Sequence, residues 1–323
     1  MNPAMPCFDK LSTRWWLFKE IGSWSEGLYS VVCGIVSRLV AARRVDWERQ
    51  DPGAKGAHCI SRPGRYGEAM RILLTNDDGI DAPGLHALRQ IAGELSDDVW
   101  VVAPETNQSG ASHSLSLHEP LRMREVDERA FAVRGTPTDS VIMGVRHLLK
   151  DKLPNLVLSG VNRGANMAED VTYSGTIAGA FEGTILGIRS MALSQAYGFE
   201  STKGLRWQTA IAHGPGLIRK LLAVEWAPSS VMNINFPDRE PDDIVGVSVT
   251  TQGRRDPGLL AIDERQDTWG NPYYWLAFER RRSSTQEGTD LWAVYSGRIS
   301  VTPLCLDLTH QAMREKLGKV LGQ

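Results

Sequence analysis

Between residues 70 and 236, short apolar runs alternate with stretches of helical spacing, and few folds can accommodate that alternation. Strand candidates at 71–75, 99–103, 156–159 and 191–194 are separated by helical stretches at 83–95, 139–150 and 176–186, and a helix at 205–224 and a strand at 231–234 follow. Runs such as Ile72-Leu73-Leu74 are apolar at consecutive positions, so they suit strands buried on both faces. Parallel neighbours need a crossover between them, which the helical stretches supply. The pattern predicts an α/β fold: a mostly parallel sheet with helices on both faces. After Phe236 the texture changes to Pro, Gly, Arg and aromatic residues, with short alternating runs at 245–250, 273–278 and 299–302 and a last helix near 309–321. Hairpins or an extended arm fit that region better than further crossover units.

This gives three regions: an extension at 1–69, a core at 70–236 and a C-terminal hairpin and helix region at 237–323. The extension shows no clean element order. Its apolar stretch 28–36 is too short to span a bilayer, and Asp9, Glu20 and Glu26 ahead of it do not suit a secretory signal. Residues 27–44 are compatible with an amphipathic surface helix, but the simpler expectation is that Met70 is the biological start and the upstream segment an appendage. A net charge of -2 and a pI near 6.4 exert no overall pull toward nucleic acid or anionic membrane, so any phosphate recognition is local. Cys7, Cys33, Cys59 and Cys305 lack metal-ligand spacing and read as reduced thiols of a cytoplasmic protein.

The first strand stops in Thr75-Asn-Asp-Asp-Gly79. Open parallel sheets bind ligands beyond the carboxyl ends of their strands. Adjacent carboxylates there repel one another, and a hard divalent cation relieves that repulsion; the plain alternative is a solvated turn. Two further strands end in similar polar loops, 104–114 and 160–166, so Asp77, Asp78, Ser109 and Asn162 can converge at one sheet edge. An all-oxygen set favours magnesium, manganese or calcium over zinc. Tyr173-Ser174-Gly175-Thr176 precedes a helix and suits a phosphate, although a Ser or Thr there is most often only an N-cap. His113 is a candidate to contact phosphate or protonate a leaving alkoxide, against a structural role. Asp139 reads as a cap or as a partner of the site. Gly179, Gly183 and Gly187, four apart, are expected to allow close packing. The runs Arg254-Arg255 and 280–282 are expected to be solvated faces, with contact to polyphosphate or a neighbouring subunit as the alternative. There is no Gly-X-Ser-X-Gly elbow and no Walker loop.

Taken together, Thr75-Asn-Asp-Asp-Gly79, Val102-Ala-Pro104 with Gln108-Ser109-Gly110, Gly135-Thr-Pro137, Ser159-Gly-Val-Asn-Arg-Gly-Ala-Asn166 and Tyr173-Ser-Gly-Thr176 resemble the SurE family of survival-protein nucleotidases. The likeness continues through Asn271-Pro-Tyr-Tyr-Trp275 and Val301-Thr-Pro-Leu304 and leaves residues 1–69 without a counterpart. It implies a Rossmann-like three-layer αβα core with a C-terminal β-hairpin and helix extension exchanged between subunits of a homodimer or tetramer. It also implies a phosphatase for nucleoside 5′-monophosphates, with 3′-monophosphates and short polyphosphate as further substrates. One magnesium or manganese ion per subunit would rest on Asp77, Asp78, Ser109 and Asn162, with Asn166 close to the reacting phosphate. Gly110, Ser174, Gly175 and Thr176 would hold the rest of the phosphate, and Asp77, Asn166 and His113 are the catalytic candidates. No nucleic acid or membrane partner is expected. The alternatives are a non-enzymatic metal-assisted nucleotide sensor and a phosphatase for a non-nucleotide phosphomonoester.

Overall fold

The computed structural model describes residues 70–198, 204–257, 260–278 and 282–322. The expectations for residues 1–69 therefore lie outside the described residues, as do Arg280 and Arg281. The first strand, β1 (Ile72–Thr75), is buried along its whole length and lies between two parallel neighbours, β2 (Val99–Pro104) and β5 (Leu156–Arg163). Its alternation splits the core. Ile72 and Leu74 face helices α1 (Pro83–Gly93) and α4 (Trp207–Leu222), packing with Leu85, Leu88, Ile91 and Ile218. Leu73 faces the other side, with Val141 of α2 (Pro137–Ile142) and Val145 of the π-helical turn that continues it. Helix α3 (Gly175–Ile185) lies beside them, with Ile177 and Ala180 packed on Ala192 and Val231. The result is the expected three-layer α/β arrangement, set by period 2 in the strands and period 3.6 in the helices.

The sheet has nine strands in the order β3-β4-β2-β1-β5-β6-β7-β11-β8, with β6 at Arg189–Gln195 and β7 at Ser230–Phe236. Two features differ from the sequence reading. An edge hairpin, β3 (Arg122–Asp127) and β4 (Ala130–Arg134), extends the sheet beyond β2; β3 is largely exposed and charged, so it carries no apolar signal. The sheet also continues past Phe236, because β11 (Arg298–Cys305) pairs antiparallel with β7 and parallel with β8 (Gly246–Val249). These late strands are part of the main sheet, so the change in texture does not end the core.

A separate antiparallel pair, β9 (Leu260–Gln266) and β10 (Pro272–Phe278), exposes Ile262, Trp269, Tyr274, Trp275 and Leu276. The last helix, α6 (Gln311–Val320), buries none of its residues and exposes Met313, Leu317 and Val320. On α3, a Cβ on Gly179 would come within 2.9 Å of Thr75 Cγ2, and one on Gly183 would meet Ser190 and Val157. Gly187 is different: nothing lies near its Cβ direction, and its φ of +82° ends the helix rather than packing it.

Candidate active site at the carboxyl ends of β1, β2 and β5

Beyond β1, the side chain of Asn76 grips Gly79 from both sides, with Nδ2 donating to the carbonyl at 2.8 Å and Oδ1 accepting from the amide at 3.3 Å. Gly79 takes a φ of +107°, a conformation that L side chains rarely adopt. This tight turn contains Asp77 and Asp78. Asp77 is 4% exposed, and its Oδ1 accepts from Thr176 Oγ1 of α3 at 2.5 Å. Burial raises its carboxyl from 3.8 to about 6; the Thr176 hydroxyl opposes that shift and the charge of Asp78 adds to it. Asp78 is partly buried, which raises its pKa, while the Arg163 amide at 3.0 Å holds its Oδ2 and works the other way.

These contacts bring three strand ends together. The Asp77 carbonyl accepts from the Gln108 amide at 2.7 Å, which fastens the loop after β2, and Arg163 is the last residue of β5. Asn162 belongs to that strand, paired with Ser194 of β6 beyond a register shift, rather than to a loop after Ser159. Its Nδ2 donates to the Gly164 carbonyl at 2.9 Å, so Oδ1 is left as an acceptor. The Ser109 amide donates to Asn107 Oδ1 at 2.8 Å, and the residue is exposed.

Among the described residues no three His, Cys, Asp or Glu side chains gather at one point. A cation here would therefore rest on two carboxylates and on neutral oxygens. The fit is good: the buried carboxylate is unfavourable without a compensating charge, and the available donors are the hard oxygens that magnesium and manganese take. Gly175 makes this possible, since a Cβ on it would sit 2.7 Å from Asp77 Cβ and 3.2 Å from Pro137 Cγ.

The remaining candidates are placed as follows. Ser174 is the N-cap of α3, its Oγ accepting from the Ile177 amide at 3.1 Å, and Thr176 is fully buried with its hydroxyl on Asp77. Both hydroxyls thus have partners within the protein, as does the Ile177 amide, which leaves the start of the first turn, at Gly175, as the part of α3 that suits an anion. Gly110 is exposed at a φ of +81°. His113 Nε2 lies 3.0 Å from Glu182 Oε2 on α3. Asp139 forms a capping box with Thr136 and also accepts from Ser116. Arg255 is not a solvated face: it pairs with Asp170 and reaches Tyr295 Oη at 3.2 Å. Arg254 is exposed, 3.8 Å from Glu169, and Arg282 lies over the Tyr295 ring at 5.5 Å.

Asn166 is held by residues the sequence reading passed over. Its amide donates to Asn235 Oδ1 at 2.8 Å, its carbonyl accepts from Asn233 and Asn235, and its Nδ2 reaches Ser194 Oγ at 2.9 Å. The signal was available, since two asparagines interrupt the apolar run of β7 at buried positions. Asp290 has a similar role, receiving the amides of Ala168 and Gly253 at 2.8 Å.

The Survival protein SurE family matches residues 72–258. The chain belongs to the SurE family. A protein of Methylobacterium nodulans named 5′-nucleotidase SurE is 61% identical over 253 residues, covering 78% of this chain and all of that protein. The 5′-nucleotidase SurE of Azorhizobium caulinodans is 61% identical over 252 residues, covering 78% of this chain and 98% of its own. The crystal structure of the SurE protein from Aquifex aeolicus superposes with a TM-score of 0.68 at 41% identity, over 77% of this chain and 99% of that one. The SurE match takes in the whole strand-end cluster from Asp77 to Thr176. No helix among the described residues is long and apolar enough to cross a membrane.

Proposed function

We propose that this SurE chain is a divalent-metal-dependent phosphatase that releases phosphate from nucleoside 5′-monophosphates, with 3′-monophosphates and short polyphosphate as further substrates. The observation that carries this reading is the buried Asp77 beside Asp78 where β1, β2 and β5 end, in a chain 61% identical to proteins named 5′-nucleotidase. Asp77, Asp78, Ser109 and Asn162 would hold one magnesium or manganese ion. When bound, the ion neutralises charge that grows on the phosphoryl oxygens.

The chain's own groups do the rest. Thr176 Oγ1 orients the Asp77 carboxylate through Oδ1. The start of α3 at Gly175, with the backbone near Ser109 and Gly110, binds phosphate oxygens. The Ser194 hydroxyl can donate as well as accept, so the Asn166 amide can turn over and present Nδ2 to the phosphate. Water forms the new P–O bond as the P–O bond to the nucleoside breaks, and the proton that the water gives up ends on the departing nucleoside oxygen.

The exposed apolar residues of β9, β10 and α6 support exchange of this arm within a homodimer or tetramer. A cytoplasmic location agrees with the nucleotide substrate and with the free thiol of Cys305. Phosphate release from a panel of mono- and polyphosphates, with manganese and then with chelator, tests the function. Release from 5′-monophosphates that chelator abolishes is expected. Tight nucleotide binding without release would instead identify a sensor, and release from sugar phosphates alone would move the substrate class.

A further inference from the structure

The loop that carries Ser109 and Gly110 spans residues 105–121, longer than an ordinary connection within a compact domain. Its start is tied to the Asp77 carbonyl through Gln108, and its far part to the cap of α2, through the Ser114 carbonyl to Thr136 and through Ser116 to Asp139. Between these ties, Ser112 takes a φ of +53°, unusual for a residue other than glycine, and its hydroxyl donates to the Thr172 carbonyl at 2.7 Å. The next residue, His113, meets Glu182 at 3.0 Å, with its ring 6.4 Å from that of Phe181.

Glu182 stands on α3 with a side chain only 10% exposed, and among the described residues His113 is its sole side-chain partner. A buried carboxylate with one partner binds that partner tightly, because losing the contact leaves the charge uncompensated. The mechanism proposed above makes no use of Glu182. Yet the same helix that holds Asp77 through Thr176 in its first turn holds the loop through Glu182 near its end.

We infer that Glu182 and His113 are positioning residues: Glu182, acting through the imidazole, fixes the 105–121 loop so that Ser109 joins the strand-end oxygens held by α3. The inference rests on Ser109 being a ligand of the site. One rigid helix then sets both halves of the oxygen shell, Asp77 directly and Ser109 through the strap. His113 acts on the loop and does not deliver a proton.

The test uses the full chain as Glu182→Ala, Glu182→Gln, His113→Ala and the double alanine variant, read by amide hydrogen exchange, manganese titration calorimetry and kinetics. In both single alanine variants exchange across residues 108–115 should rise about tenfold, as expected for loss of a charged hydrogen bond, while β1 is unaffected. The manganese Kd should weaken by a similar factor, and kcat should recover when manganese is raised to saturation. Glu182→Gln should restore most of the loop order, because its amide still bonds the imidazole. The double variant should be no worse than either single one.

Unchanged loop exchange in both single variants overturns the inference, as does an unchanged manganese Kd in a loosened loop or full additivity in the double variant. A kcat loss confined to His113→Ala at saturating manganese also overturns it and restores the imidazole as an acid. If wild-type protein binds no manganese, the metal reading fails, and so does this positioning role. That result is distinct from wild-type binding that the variants leave unaltered.

Discussion

Replacing Asp77 with Asn tests the site without any assay of catalysis. Its carboxyl lies at about 6 rather than 3.8, chiefly because it is buried, so the folded state holds that proton more tightly than the unfolded chain. The interval corresponds to about 3 kcal/mol at neutral pH. The sign follows from proton binding: between about pH 4 and 6 the folded state binds more protons, so the contribution of Asp77 to stability falls as pH rises through that window, and the full penalty applies above it. Asparagine has no such titration, and its Oδ1 can still accept from Thr176 Oγ1. In chelator, Asp77→Asn should therefore be more stable than wild type by about 2–3 kcal/mol at pH 7.5 and nearly equal to it at pH 4. With manganese at about a hundredfold its Kd the order should approach reversal, since wild type alone gains about 2.7 kcal/mol. Urea unfolding from pH 4 to 8, with chelator and with metal, measures each term. A stability difference between wild type and mutant that does not change with pH would refute the reasoning, because it would mean that burial does not perturb this carboxyl.

Three other outcomes follow from the same geometry. Asp78→Asn should lower phosphate release from AMP by about a thousandfold at saturating manganese, the loss expected when a metal-holding carboxylate is removed. Gly175→Ala should displace Asp77, since the new Cβ would lie 2.7 Å from the Asp77 Cβ; manganese calorimetry should show weaker binding, and thermal melting a loss of about 1–3 kcal/mol. Ending the chain after Leu306 removes α6 and its exposed Met313, Leu317 and Val320, and light scattering should then report a smaller assembly with the fold retained by circular dichroism.

Much of the candidate site can be proposed from sequence because its residues announce themselves locally. Two adjacent carboxylates after an apolar run, a Ser-Gly pair and an Asn at later strand ends need only the rule that parallel strands share a carboxyl edge. What the sequence could not show was partnership. The phosphate motif Ser174-Gly175-Thr176 reads the same whether its hydroxyls face substrate or protein, and only packing puts Thr176 on Asp77, 99 residues away. His113 likewise reads as an acid or as a structural residue, and only the packing of α3 brings Glu182 beside it.

The fold divides along the same line. Periodicity from residue 70 to residue 236 by itself determined the layers, because each strand or helix must bury a face whose spacing is written in consecutive residues. The tertiary structure alone decided that β8 and β11 join the main sheet and that β3 closes its far edge. It also decided that Asn162 lies on a strand and that a single helix holds both Asp77 and the Ser109 loop. Each of these depends on pairing between distant segments, which register and packing select and which no local window of residues contains.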